Sequence, residues 1–82
     1  MPRPPRSQPV LTYEDKAHRR ALGNRLRELR GERTQEAIAD AALVAREYLS
    51  KVEGGHRNPS LDVLARLARA LDVRLEDLFR GI

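Results

Sequence analysis

From residue 12 onward, apolar residues recur at helical spacing in blocks separated by short polar or glycine-containing gaps. Ala17, Ala21/Leu22, Leu26 and Leu29 form the first stripe, which runs to about Arg30. Thr12 followed three residues later by Asp15 resembles a capping box and starts this helix near Tyr13. Gly31 to Arg33 ends it, and Thr34 can cap a second, short helix in which Ile38 and Ala39 are flanked by Gln35, Glu36 and Asp40. In a third helix Leu49 and Val52 lie three apart and face inward. Arg46 and Ser50, and Glu47 and Lys51, are each four apart and share the opposite face. Ala42 to Ala45 alone are free to turn the chain between these two helices. Ala39 falls where they would cross, and a larger side chain there would push them apart. Gly54-Gly55 stops the third helix, one glycine as a left-handed cap and the other adding flexibility. Ser60 caps a fourth helix with Leu61, Leu64, Leu67/Ala68 and Leu71 on one face. Asp72-Val73-Arg74 breaks it, and Leu75, Leu78 and Phe79 carry a short fifth. The interruption at Asp72 makes these leucines core residues and not a zipper.

Eighty-two residues make one domain with a small but sufficient core. No stretch approaches the ~20 apolar residues that span a membrane, no apolar run follows the basic amino terminus as in a secretory signal, and there are no cysteines. A cytoplasmic protein is the expectation. The net charge of +4 favours polyanion partners only modestly, but its placement is informative. Residues 1–33 hold nine Lys/Arg and four Asp/Glu, whereas residues 34–82 hold seven and eight. Attraction to phosphate should therefore come largely from the amino-terminal half. Residues 1–11 contain four of the five prolines plus Arg3 and Arg6, and are expected to form a disordered basic tail ahead of a domain over residues 12–82. Such an arm can follow a minor groove, although a solubilising tail is the plainer account. His18 and His56 sit in separate polar segments without a nearby nucleophile or metal partner, and no glycine-rich phosphate loop follows a strand. No catalytic residue, metal or cofactor is expected.

Two short helices with a tight turn and a polar outer row form a helix–turn–helix, whose second helix has the shape and chemistry to enter a DNA major groove. The guanidinium of Arg46 can make two hydrogen bonds to guanine O6 and N7. Lys51 could reach a guanine or a phosphate. Glu47 can accept from cytosine N4, but it is also spaced for an intrahelical pair with Lys51. Ser50 can contact base or backbone, and Ala45 can touch a thymine methyl. Tyr48 should be half core, its hydroxyl free for a phosphate. Arg57 and the amide of Asn58, in the loop before Ser60, are further candidates for backbone contact.

The spacing of Gln35, Ile38-Ala39, Val44, Tyr48-Leu49-Ser50, Val52-Glu53, Gly55 and Arg57-Asn58-Pro59-Ser60 resembles the Cro/C1-type helix–turn–helix family of phage repressors and their bacterial relatives. The likeness extends from Leu22-Gly23, Arg25-Leu26-Arg27 and Leu29-Arg30 to Leu64, Leu67-Ala68, Ala70-Leu71, Val73 and Leu78-Phe79, and so covers roughly Leu22 to Phe79. It implies an all-α, five-helix, lambda-repressor-like domain that binds double-stranded DNA as a transcriptional regulator, commonly as a homodimer through its last helix. Leu75, Leu78, Phe79 and Ile82 then become the expected dimer interface. It further implies a phosphate contact at Gln35 and a structural pair between Arg30 and Glu53. Three departures stand out. Leu43 replaces the usual glycine of the turn, Ala45 replaces the usual polar cap, and the Arg30–Gln35 connection is about two residues shorter than the common form. Arg46, Tyr48, Ser50, Glu53 and Arg57-Asn58 look similar to the restriction–modification controller subgroup. An antitoxin-like module, whose main ligand is a partner protein, also resembles the family and is the rival reading.

Overall fold

A computed structural model describes residues 11–82. They form four α-helices and a closing 3₁₀ turn: α1 (Tyr13–Arg30), α2 (Gln35–Ala42), α3 (Arg46–Glu53), α4 (Leu61–Ala70) and the turn Leu75–Phe79. The tail expected at residues 1–11 lies outside the described residues, save for Leu11. The fifth helix is 3₁₀ and not α, because the six residues between the break at Asp72–Arg74 and Gly81 leave room for little more than one turn.

The helix starts follow local chemistry. Thr12 Oγ1 accepts from the Asp15 amide at 3.1 Å while the Asp15 carboxylate accepts from the Thr12 amide at 2.9 Å, which completes the capping box. Thr34 Oγ1 accepts from the Ala37 amide at 3.0 Å, and Ser60 Oγ from the Val63 amide at 3.2 Å. Such caps are worth about 1 kcal/mol each. Ala45 precedes α3 without a side-chain cap.

One buried cluster joins every element: Leu26 from α1, Ile38, Ala39 and Ala42 from α2, Leu49 and Val52 from α3, Leu64, Leu67 and Ala68 from α4, then Leu71 and Leu78. Leu78 has 0 % exposure. It was expected at a dimer interface, but it offers no surface to a partner; its side chain fills the space under the 3₁₀ turn and belongs to the core. That turn is tied to α1 by Arg25, whose Nε donates to the Asp77 carbonyl at 2.9 Å. Arg25 is thus a structural residue and not part of a solvated basic face.

α1 and α3 approach each other closely at Gly23, in the middle of α1. A Cβ there would collide with the backbone carbonyls of Glu53 and Val52 at the end of α3. The paired glycines after α3 are also both constrained. Gly54 lies under the His56 ring, with 2.9 Å between its would-be Cβ and the ring Cδ2. Gly55, at φ +81°, passes over α1 with a would-be Cβ 3.1 Å from the Arg20 Cα. The flexibility expected of the second glycine is replaced by close packing against α1.

Candidate nucleic-acid interface

α2, the turn Leu43–Ala45 and α3 form the helix–turn–helix. Leu43 resolves the question raised by its position: it adopts φ 60°, ψ 41°, the left-handed conformation that glycine usually supplies, and its amide closes α2 onto the carbonyls of Ala39 and Asp40. The turn keeps its shape and leucine bears the strain. Val44, next in the chain, donates to the Ala39 carbonyl at 3.0 Å and packs on the core.

α3 buries Leu49, Val52 and Glu53, and leaves Arg46, Glu47, Ser50 and Lys51 exposed along its outer side. Eight residues make a rod of about 12 Å. Among the described residues none of Arg46, Glu47 or Lys51 is ion-paired, the four-residue spacing of Glu47 and Lys51 notwithstanding. Their heads are free for a ligand. Ala45 is exposed at the start of this row, and Tyr48 is half-buried against the core. Arg57 and Asn58 are exposed in the loop that follows α3, where buried Pro59 anchors the chain before α4.

What holds the row rigid is a charged hub beneath it. Glu53, 2 % exposed, accepts from Arg30 Nε at 2.8 Å and Arg30 Nη2 at 2.9 Å, a two-pronged pair between α3 and α1. Its Oε1 also accepts from Gln35 Nε2 at 2.9 Å, which brings in the first residue of α2. Arg27 stands 3.9 Å away. Burial pushes the Glu53 carboxyl up, but the hydrogen bonds of Arg30 and Gln35 and the charges of Arg30 and Arg27 outweigh it and hold the group below its ordinary value. Arg30 also donates through Nη1 to the Arg33 carbonyl at 2.8 Å, and Arg33 returns hydrogen bonds to the carbonyls of Leu29 and Arg30, closing α1.

Gln35 therefore has a partner that the sequence did not reveal. One N–H of its amide is held by Glu53; the second remains for another acceptor. The open amides of the first turn of α2 lie beside it, since an α-helix leaves its first N–H groups without intrahelical partners. The candidate residues fall into two sets. Gln35 and the exposed row of α3 share the helix–turn–helix, with Arg57 and Asn58 at the far end of α3. Phe79 and Ile82, 43 % and 45 % exposed, border an apolar cleft with Leu22 and Pro59 that Asn58 also lines. Leu75 is half-buried against the core.

Comparison with known proteins gives a family model described as helix-turn-helix that matches residues 25–78. The chain is 44 % identical over 63 residues to the HTH-type transcriptional regulator DdrOP3 of Deinococcus deserti, a match covering 74 % of this chain and 49 % of that protein. It thus spans about half the length of that relative. It is 40 % identical over 64 residues to the control protein C.MunI of a Mycoplasma species, covering 74 % of this chain and 86 % of that one. Among solved structures, the restriction-modification controller protein C.AhdI from Aeromonas hydrophila superposes with a TM-score of 0.75 at 42 % identity, over 77 % of this chain and 98 % of that one. The clp gene regulator ClgR from Corynebacterium glutamicum superposes with a TM-score of 0.70 at 33 % identity, over 85 % of this chain and 69 % of the other.

Proposed function

The chain belongs to the Cro/C1-type helix–turn–helix family of DNA-binding transcriptional regulators, and we propose that it reads a two-fold symmetric operator as a homodimer in the cytoplasm. The observation that carries this reading is the unpaired row Arg46, Glu47, Ser50 and Lys51 on a helix whose other side is locked by Glu53. A preorganised helix loses little freedom on entering the major groove, so its polar heads can be used for discrimination. Arg46 is the principal base reader, directed at guanine. Lys51, Glu47, Ser50 and Ala45 read or exclude neighbouring bases. Gln35, held by Glu53, turns its second N–H and the start of α2 toward a phosphate. Tyr48, Arg57 and Asn58 hold the same backbone further along. No helix among the described residues is long and apolar enough to cross a membrane.

A narrower form of this reading makes the protein a controller of restriction–modification genes. The likeness to C.MunI and C.AhdI, spanning 86 % and 98 % of those chains, supports it. An adjoining nuclease or methyltransferase gene is the expected genomic companion; a small toxin gene in that place would favour an antitoxin-like role instead.

The test is fluorescence anisotropy of a labelled duplex from the protein's own upstream region, titrated beside a scrambled duplex over a salt series. Specific regulators bind their site roughly 10³-fold or more tighter than random DNA at physiological salt. Arg46→Ala should reduce operator binding by about 1–3 kcal/mol and relax one operator position while leaving scrambled DNA nearly unaffected. Equal losses on both duplexes would remove Arg46 as a base reader.

A further inference from the structure

Lys16, Arg19 and Arg20 are spaced three and four apart and share one side of α1, well before the part of that helix that reaches Arg30 and the hub. The loop leaving α3 folds back onto this side. Gly55 crosses the backbone of Arg20 so closely that a Cβ would lie 3.2 Å from its nitrogen, and the His56 amide donates to the Lys51 carbonyl at 2.8 Å, which fixes the loop against the end of the reading helix. The result is a cleft of about 340 Å³ with Lys16, Arg19 and Arg20 on one wall and Gly54, Gly55 and His56 on the other. Among the described residues no carboxylate lines it. Asp15, one turn from Arg19, has its carboxylate taken by the Thr12 amide, and among the described residues none of the three cations has a salt-bridge partner.

We propose that this cleft is a second phosphate-binding site, which grips the DNA backbone beyond the C-terminal end of α3. The inference rests on the DNA-binding reading above. Three cations without a salt-bridge partner, of which only Arg19 feels a nearby acid, Asp15, repel one another, and an anion in the cleft relieves that repulsion. The ligand is a phosphodiester because of where the cleft lies. α3 is about 12 Å long, a length matched to a major groove about 12 Å wide, so a backbone strand flanks the end of the helix. Arg57 and Asn58 follow His56 directly in the chain, so the cleft continues the backbone contacts proposed for that loop. The positive excess of residues 1–33 thereby gains a defined place of action instead of a diffuse one.

Lys16 and Arg20 are both exposed, and replacing them should leave the fold intact. The experiment compares Lys16→Gln/Arg20→Gln with Arg69→Gln/Arg74→Gln, an equal loss of charge on and beyond α4, by anisotropy on operator and scrambled duplexes from 50 to 300 mM salt. Circular dichroism checks that each variant folds. Each phosphate contact contributes about 0.9 to the slope of log K against log salt. The cleft variant should therefore lower the slope by roughly 2 on both duplexes, with their affinity ratio unchanged, while the control variant keeps the wild-type slope. A cleft variant that keeps its slope, or a control that loses as much, overturns the proposal while the wild-type preference for operator still upholds DNA reading. A wild-type protein with no salt-dependent affinity for either duplex overturns both. A last arm follows the His56 ring by NMR during titration with duplex and, separately, with inorganic phosphate at matched ionic strength. A response to DNA is expected; a response to inorganic phosphate alone would assign the cleft to a small free anion and overturn its role on DNA.

Discussion

Leu43 holds a backbone conformation that L-residues other than glycine occupy at a cost of roughly 1–2 kcal/mol, yet it is 81 % exposed and recovers little by burial. Glycine removes that strain but gives the unfolded chain more freedom, worth about 0.5–1 kcal/mol. The balance favours glycine. Leu43→Gly should raise the stability by up to about 1 kcal/mol, read as a higher urea midpoint with an unchanged slope. A lower midpoint would mean that the leucine side chain supports the turn by contacts that outweigh its strain. The need for a left-handed residue here was legible from the position of Leu43 in the motif. Whether the turn or the leucine would give way was not, because that depends on how firmly the amides of Leu43 and Val44 are held by Ala39 and Asp40.

How the helices are joined was legible in part, and the missing part has a common cause. Periodicity located α1 to α4 and the caps located the starts of α1, α2 and α4, since both are local properties of the chain. Family likeness implied the Arg30–Glu53 pair, but the third partner, Gln35, was expected to point only at phosphate, and Arg25 was given no structural partner. Gly23 passed as one residue of the likeness, although the crossing of α1 and α3 depends on its lacking a Cβ. Each of these depends on a contact 18 to 52 residues away in sequence, which spacing within a helix does not encode. The hub gives the joining of α1, α2 and α3 a pH dependence with a definite sign. The folded carboxyl of Glu53 lies below its ordinary value of about 4.5. Its contribution is therefore fully present above that value and is lost as pH falls through the lower folded value. Glu53→Gln leaves Arg30 partly buried without its counter-charge, which should cost about 3 kcal/mol at neutral pH. Urea midpoints measured from pH 7 to 2 should converge for the two proteins in acid. Profiles that stay parallel throughout would show that the pair contributes nothing by its charge.

A reading helix of eight residues reaches only a few base pairs, and one bidentate arginine discriminates by about 1–3 kcal/mol. Operator recognition of the usual strength needs two such helices, set about one turn of DNA, ~34 Å, apart. A second copy would need an exposed apolar surface. Phe79 and Ile82 expose apolar surface around a cleft of about 140 Å³ shared with Leu22 and Pro59, which carries no residue of the α3 row but borders Asn58 and Arg19. Leu75 stands half-buried nearby in sequence, and Leu78 supports the turn from beneath. Apolar residues along this segment were legible in the sequence, but their division into core and surface was not, because a 3₁₀ turn points successive side chains differently from the α-helix expected there. If this surface joins two copies, Phe79→Asp places a charge in the interface while sparing the core. Sedimentation at micromolar concentration should then give a monomer in place of a dimer. Affinity for a single half-site should be unchanged, whereas affinity for the full operator should fall by at least ~10², the advantage that linking two binding units supplies. A variant that still sediments as a dimer would move the interface away from the 3₁₀ turn. One that is monomeric yet binds the full operator as tightly as the wild type would show that a single copy suffices for recognition.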